Sequence, residues 1–196
     1  LSEELFPGIV EIRRHLHRYP ELSFQEHKTS EYICEQLEEM GITYRKGIAG
    51  TGIVAEIAGK DAEGKIVALR ADMDALPLRE ENKVEYRSLH EGIMHACGHD
   101  VHSASLLGTA GILMKLKDRF AGRVLFVFQP GEEKAPGGAN MMMKEDLFAG
   151  REPAVILAQH VYPSLQSGQA GFREGKYMAS SDEIYLTIRG KGGHAA

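Results

Sequence analysis

From Ser103 onwards the sequence alternates twice between a helical segment and a short apolar strand. A helix with a broadly apolar pattern is predicted over 103–117, and another near 138–145. An almost continuous apolar run follows each of them, at 123–128 and at 154–159, which is typical of strands buried on both faces. This alternation predicts an α/β fold, with a mixed, mostly parallel sheet flanked by helices in three or more layers.

Two further helices and two strands are predicted before this alternation. The first helix ends before Pro20, and its apolar face is formed by residues that step by four and three: Leu5, Ile9, Ile12, Leu16 and Tyr19. Ser23 and Glu26 have the spacing of a capping box for the second helix. The short β-branched runs at 52–57 and 66–70 predict strands, which we expect to pair as a hairpin.

The composition is that of a globular protein with one sizeable core, since 43% of the 196 residues are hydrophobic and 26% are charged. The formal net charge of -5 comes from interspersed acids and bases, so we expect neither a nucleic-acid nor a membrane partner. With only Cys34 and Cys97, a cytoplasmic location is expected, and Cys34 is predicted to be a buried thiol. Because the chain begins at Leu1 rather than Met, we expect that residues before it were removed or are not included.

Four clusters of acidic, thiol and imidazole side chains each lie at the end of a predicted strand or in a loop just after one. In open α/β sheets, ligands bind at the edge that is formed by the carboxyl ends of the strands. The clusters are Asp72 with Asp74, Cys97 with His99 and Asp100, Glu132 with Glu133, and His160 alone. Together these residues could build a metal site.

Cys97 and His99 are one residue apart, so in extended backbone both side chains project to the same side. Thiolate and imidazole are preferred ligands of zinc and related divalent metals. The alternative is that Cys97 is a small core residue and His99 a surface residue. Neighbouring polar residues that could support a metal site are His95, Asp100 and His102.

Glu132 and Glu133 follow a turn at 129–131 that ends a predicted strand. One could bind metal while the other faces the reacting water, although adjacent acids are often solvated surface residues. Asp72 and Asp74 could orient a metal-binding imidazole or hold a base in its working ionisation state, or they could cap a loop. His160 is either a metal ligand or a buried neutral imidazole.

The remaining histidines are weaker candidates for a site. His15 and His17 lie on the first predicted helix and are expected to be packing or surface residues, while His27 and His90 carry no signal.

The polar and apolar residues at 182–190 alternate as in a half-exposed strand. A lone strand cannot bury its apolar face, so this segment is expected to open a second domain that the chain does not complete. We therefore expect an incomplete catalytic, metal-binding domain over 1–176 and the beginning of another domain over 177–196.

Four motifs, read together, identify a family. They are Arg14-x-Leu16-His17-x-x-Pro20-Glu21-Leu22-Ser23, Arg70-Ala71-Asp72-Met73-Asp74-Ala75-Leu76-Pro77, His95-Ala96-Cys97-Gly98-His99-Asp100 and Gln129-Pro130-Gly131-Glu132-Glu133. The chain resembles the amidohydrolases that include hippurate hydrolase, N-acyl-amino-acid deacylases and plant auxin-conjugate hydrolases, within the superfamily of dinuclear metallo-exopeptidases. Most members of the wider superfamily have histidine at Asp72 and aspartate at Cys97, which places this chain in the cysteine-containing branch.

The resemblance implies two divalent ions per active site, zinc or manganese first, with cobalt or nickel as alternatives. It implies that Cys97 bridges the ions, with His99 and His160 on one ion and Glu133 on the other. Glu132 is then the general base, and Asp74 matches the family's supporting aspartate. The family is roughly twice as long, and its last metal ligand is a histidine from the part of the catalytic domain that follows.

Residues 190–194 resemble the start of the family's smaller α+β lid and dimerisation domain, in which His194 reaches the active site of the partner subunit. The resemblance thus implies a homodimer that hydrolyses small N-acyl amino acids. Cleavage of dipeptides or of C-terminal peptide bonds uses the same machinery and stays open. So does a non-catalytic metal-binding relative, although such a protein has no need to keep Glu132.

Overall fold

A computed structural model describes residues 1–179 and 184–194. The helices are α1 (Ser2–Arg18), α2 (His27–Glu39), α3 (His99–Lys115) and α4 (Gly138–Lys144), with a single 3-10 turn at Lys117–Arg119. The strands are β1 (Thr43–Ile48), β2 (Gly52–Ala58), β3 (Ile66–Asp72), β4 (Arg123–Gln129) and β5 (Val155–Ala158). All of them lie in the first of two compact units, residues 1–161.

The five strands form one mixed sheet in the order β1-β2-β4-β3-β5. β3 pairs in parallel with both β4 and β5, while β2 pairs antiparallel with β1 and β4. Helices flank the sheet, so the predicted α/β class is confirmed.

The predicted hairpin between β2 and β3 is wrong, because β4 lies between them. The loop after β2 runs along the start of β4, where the Gly59 amide donates to the Gly122 carbonyl and the Arg123 amide to the Lys65 carbonyl. β4 therefore has a neighbouring strand on each edge, and its apolar side chains lie at the centre of the sheet. The hairpin partner of β2 is β1, whose mostly exposed, polar residues lack the apolar alternation that identifies a strand.

The predicted capping box before α2 does not form. The Ser23 hydroxyl donates instead to Asp74 at 2.7 Å. The Glu26 carboxylate accepts from the Thr51 hydroxyl and the Gly131 amide, both at 2.8 Å. Both side chains serve tertiary contacts, which sequence spacing alone cannot distinguish from a local cap.

β4 is covered on both faces, as its continuous apolar sequence predicts. Phe126 and Phe128 are fully buried in a core that packs against α1, α2 and α3 and also holds the buried thiol of Cys34. Leu125 and Val127 point to the other face, where they belong to a second cluster with Met142.

The second unit comprises residues from 162 onwards. Its described residues, 162–179 and 184–194, contain neither helix nor strand. The strand predicted over 182–190 is therefore absent from 184–190, while 182 and 183 lie outside the described residues. A strand needs a hydrogen-bonded neighbour, and the apolar side chains here stay exposed, from 81% for Ile184 to 93% for Ile188. The predicted domain boundary at 176/177 stays a prediction.

Within the part of the chain that the structure describes, no helix combines the length and apolar character that a membrane crossing requires.

His17, in the last turn of α1, is buried and ion-paired rather than a packing or surface residue. Its Nδ1 lies 2.7 Å from the Asp100 carboxylate and its Nε2 lies 3.1 Å from that of Glu80. An imidazolium donates from both nitrogens and would therefore satisfy both carboxylates. Burial opposes this charge, but the bonds to Asp100 and Glu80 raise the pKa of His17. Arg13 also pairs with Asp100 at 2.9 Å, so α1 is fixed to the first turn of α3.

We predict that His17→Gln lowers the free energy of unfolding by about 3 kcal/mol, because it leaves the buried Glu80 carboxylate without its cation and Asp100 with Arg13 alone. Since the folded-state pKa of His17 is raised, its charge contributes fully below the unfolded pKa, and the contribution is lost as pH rises through the folded pKa. The difference between the two proteins in urea unfolding should therefore shrink as pH rises.

His15→Gln is the matched control. His15 stacks on Tyr32 with ring centroids 3.8 Å apart, and burial, with the charge of Arg18, lowers its pKa. Its stabilisation is therefore lost as pH falls, which is the opposite trend. A His17→Gln difference that is independent of pH would contradict the imidazolium assignment.

Candidate metal centre

The parallel pairing of β3 with its neighbours places three chain segments at one edge of the sheet. Asp72, the last residue of β3, is in register with Gln129, the last residue of β4. The segments after β3, β4 and β5 therefore leave the sheet side by side, and they carry Asp74, Glu132 with Glu133, and His160. The loop that begins α3 completes the site with Cys97 and His99.

The four predicted metal ligands are brought together here. The Cys97 Sγ lies 3.4 Å from His160 Nε2, and the His99 Nε2 lies 3.6 Å from a Glu133 oxygen. Potential ligand atoms of Cys97, His99 and His160 all lie within 4.8 Å of one another, as do those of His99, Glu132 and Glu133. His99 belongs to both groups, and also to a third with Asp72 and His102, so the potential ligands adjoin one another around His99.

Asp74 orients His99. The His99 Nδ1 donates to Asp74 at 3.2 Å, which leaves the Nε2 lone pair directed into the site. The other Asp74 oxygen accepts from the Ser23 hydroxyl at 2.7 Å and from the Glu133 amide at 2.9 Å. Burial opposes ionisation, but the bonds from His99, Ser23 and Glu133 hold the pKa of Asp74 below its usual value.

Two buried atoms at the centre of the site have no hydrogen-bond partner among the described residues: His99 Nε2 and Glu133 Oε1. Unpartnered buried polar atoms are costly. The two atoms are 3.6 Å apart, close to the roughly 3.5–4 Å that separates the ions of a dinuclear site, so each atom can serve its own ion. A pair of divalent cations therefore fits the donor set and would satisfy both atoms.

The negative charge around Cys97 also favours a bound cation. Burial and the neighbouring Glu133 carboxylate raise the pKa of the Cys97 thiol to about 12, and the charges of Glu132 and Asp72 add to this. A thiolate would form at neutral pH only beside a strong positive charge, such as a metal ion. The adjoining imidazole of His160 donates from Nδ1 to the Val161 carbonyl at 2.8 Å, so its Nε2 faces the thiol as a potential ligand.

Asp72 and His102 support the site indirectly, through the backbone next to His160. His102 Nδ1 donates to Asp72 at 2.6 Å, and its Nε2 accepts from the Val161 amide at 3.0 Å. Both nitrogens of His102 are thus engaged, and they fix the backbone next to His160. Burial opposes ionisation of Asp72, but His102 and an ion pair with Arg70 at 2.8 Å lower its pKa.

The sequence positions of Asp100 and His95, close to Cys97 and His99, suggest that they support a metal site, but their contacts are different. The Asp100 carboxylate is turned towards His17 and Arg13. Among the described residues it makes no hydrogen bond to Cys97 or His99. His95 is buried without a hydrogen-bond partner for either ring nitrogen within that same part of the chain, and burial lowers its pKa to about 4.

Glu132 is exposed, whereas Glu133 is partly buried. Partial burial and the charge of Glu133 raise the pKa of Glu132. A raised pKa suits a group that takes up a proton and gives it back near neutral pH. His194 belongs to the C-terminal unit, and its catalytic role stays a prediction.

Sequence reasoning missed two residues that shape the site, Ser23 and Glu26. Both carry polar side chains before a helix, and that pattern favoured a cap. The indication that could have been used is that Ser23 lies in one of the four family motifs.

Comparison with known proteins places the chain in a family. The family described as Peptidase family M20/M25/M40 matches residues 68–190. An N-acyl-L-amino acid amidohydrolase from Geobacillus stearothermophilus is 43% identical over 196 residues, which are 100% of this chain and 52% of that protein. Thermostable carboxypeptidase 1 from Saccharolobus solfataricus is 42% identical over 195 residues, covering 98% of this chain and 49% of that protein.

Among solved structures, a dinuclear metal-binding peptidase of the M20 family from Bacillus subtilis matches with a TM-score of 0.77 and 39% identity, over 83% of this chain and 45% of that one. The chain spans about half the length of the curated relatives it matches. It belongs to peptidase family M20/M25/M40, which confirms the resemblance predicted from its four motifs.

Proposed function

We propose that this protein is a metal-dependent amidohydrolase that cleaves the amide bond of small N-acyl amino acids with water. The observation that carries the proposal is a pair of buried atoms, His99 Nε2 and Glu133 Oε1, that have no hydrogen-bond partner within residues 1–179 and 184–194. They lie beside the Cys97–His160 pair and within reach of Glu132. The names of two relatives support the substrate class: the N-acyl-L-amino acid amidohydrolase and an N-acetyl-L-cysteine deacetylase from Bacillus subtilis, 44% identical over 188 residues.

The residues would hold two divalent ions, zinc or manganese first, with cobalt or nickel as alternatives. Cys97 would bridge them, with His99 and His160 on one ion and Glu133 on the other. Bound ions would supply a water of lowered pKa and positive charge for the amide oxygen. Asp74 would hold His99 and the Glu133 backbone in place, while Asp72 and His102 would hold the segment that carries His160.

Glu132 would act as the general base. Its carboxylate takes the proton of the attacking water and then donates it to the leaving amine nitrogen, so that a carboxylate and a free amino acid are released. His194 of the partner subunit would stabilise the developing oxyanion in a homodimer. Asp100 would act indirectly, by fixing the first turn of α3 to α1 through His17.

Residues 1–176 would then belong to the catalytic domain and 177–196 to a lid and dimerisation domain, in a cytoplasmic protein. The site described here offers Glu133 and the shared Cys97 to the second ion, fewer protein ligands than the three usual at a catalytic zinc. We propose that a further histidine, from sequence outside these residues, completes that half.

A second candidate function is carboxypeptidase activity on small peptides. It is favoured by the 42% identity to thermostable carboxypeptidase 1. The two functions need the same metal chemistry and differ in the pocket that receives the group on the scissile carbonyl.

A substrate panel tests the proposal on the purified protein as its gene encodes it. N-acetyl, N-benzoyl and indole-acyl amino acids are offered beside dipeptides with the same C-terminal residue, and release of the free amino acid is measured together with metal content. We expect turnover of N-acyl amino acids that a chelator abolishes and added zinc or manganese restores. Turnover of the peptides alone would favour the carboxypeptidase, and two bound ions without any turnover would indicate a non-catalytic relative.

Exchange of individual residues separates the base from the ligands. We predict that Glu132→Gln lowers kcat by about 10²–10⁴-fold and leaves metal content nearly intact, because a base acts on the water. Cys97→Ala should lose metal and activity together. The matched control is Cys34→Ala, which removes the buried thiol of the core and should keep both. Equal metal loss in Glu132→Gln and Cys97→Ala would contradict the assignment of Glu132 as the base and Cys97 as a metal ligand.

A further inference from the structure

We propose that Glu26 is a positioning residue for Glu132: its buried carboxylate holds the backbone amide that precedes Glu132 and so aims the Glu132 carboxylate at the site. This inference rests on the proposed role of Glu132 as the base.

The carboxylate of Glu26 is fully buried and far from Gly131 in sequence, yet it contacts that loop directly. One oxygen accepts from the Gly131 amide at 2.8 Å, and the other accepts from the Thr51 hydroxyl at 2.8 Å. Although Glu26 is the residue before α2, its side chain does not cap the helix. A buried carboxylate is costly to maintain, and here its two oxygens tie α2 to the loop after β4 and to the turn before β2.

Glu132 lies between two amides that are each held by a buried carboxylate. The amide of Gly131, on one side, donates to Glu26, and the amide of Glu133, on the other side, donates to Asp74 at 2.9 Å. The backbone at Glu132 is therefore fixed at both ends. Its own side chain is exposed, with a carboxylate oxygen within 4.8 Å of ligand atoms of His99 and Glu133.

The loop also has little conformational choice at Gly131. Its φ is +55°, in the left-handed region that favours glycine, and a Cβ there would stand 2.3 Å from the Phe24 ring. The Gly131 carbonyl accepts from the Gly138 amide at 2.9 Å, which anchors the next peptide unit, the one that joins Gly131 to Glu132. Phe24 and Glu26 thus both constrain the loop at Gly131.

The two carboxylates differ in what else they hold. Asp74 also binds His99, so its loss would disturb the metal ligands. The Glu26 carboxylate binds Gly131 and Thr51, and neither residue is a proposed metal ligand. Misplacing a base by about 1 Å can cost on the order of 10²-fold in rate, so we expect Glu26 to act on kcat rather than on metal binding.

Two conservative variants of Glu26 separate the effect of side-chain length from the effect of charge. Glu26→Asp keeps the charge but is one methylene shorter, so it cannot reach both Gly131 and Thr51. Glu26→Gln loses the charge but keeps the reach, because its carbonyl can accept from Gly131 while its amide donates to the Thr51 hydroxyl. We expect Glu26→Asp to lower kcat by about 10–100-fold with KM and metal content little changed, and Glu26→Gln to retain most of the activity.

Glu21→Ala is the control from the same segment. The Glu21 carboxylate accepts from the backbone amide and the hydroxyl of Thr29, in the first turn of α2, and not from the loop. It should lower the melting temperature and leave kcat unchanged.

The experiment measures kcat, KM and metal content on the best N-acyl amino acid, and amide hydrogen exchange over residues 130–133, in the protein as its gene encodes it. Faster exchange at Gly131 in Glu26→Asp but not in Glu26→Gln, with the same order in kcat, is the expected result. Unchanged exchange in Glu26→Asp, metal loss in that variant, or equal loss of kcat in both variants would overturn the inference. If the unaltered protein hydrolyses no substrate, the proposed function fails, while the exchange data still decide whether Glu26 holds the loop.

Discussion

The carboxylate of Asp74 joins three segments of the chain that are far apart in sequence. It accepts from the Ser23 hydroxyl before α2, from the His99 imidazole at the start of α3, and from the Glu133 amide after β4. Because these bonds favour the ionised form, Asp74 stays a carboxylate in spite of its burial, and it determines which nitrogen of His99 faces the site. These three bonds thus hold together the segments that carry His99 and Glu133.

The parallel register of β3 and β4 makes this convergence possible. Asp72 and Gln129 end their strands side by side, so acidic residues that are 60 positions apart along the chain leave the sheet at the same edge. The consequence is an excess of negative charge around Cys97 and His99. Burial opposes charge on His99, but Asp74, Asp72 and Glu133 raise its pKa, and the thiol of Cys97 resists ionisation. Divalent cations at this position would relieve both effects, which is why the geometry favours a metal centre over a purely structural cluster.

Much of this could be predicted from sequence, because its signals are periodic or lie in contiguous motifs. The apolar β4, the helices and the clusters at strand ends depend on local pattern, and the structure brings Cys97, His99, Glu133 and His160 together. Features that depend on distant partners could not be predicted in this way. The order of strands in the sheet, the use of Ser23 and Glu26 away from the helix, and the burial of His17 between Asp100 and Glu80 each require knowledge of what lies opposite a side chain.

X-ray absorption spectroscopy at the metal edge of the loaded protein measures whether the Cys97 sulfur is a ligand in a two-ion centre. We expect a sulfur neighbour at about 2.3 Å, if the metal is zinc, together with nitrogen and oxygen neighbours at about 2.0–2.2 Å. We also expect a second metal at roughly 3.5–4 Å. A spectrum that contains nitrogen and oxygen neighbours alone, with neither sulfur nor a second metal, would contradict this expectation.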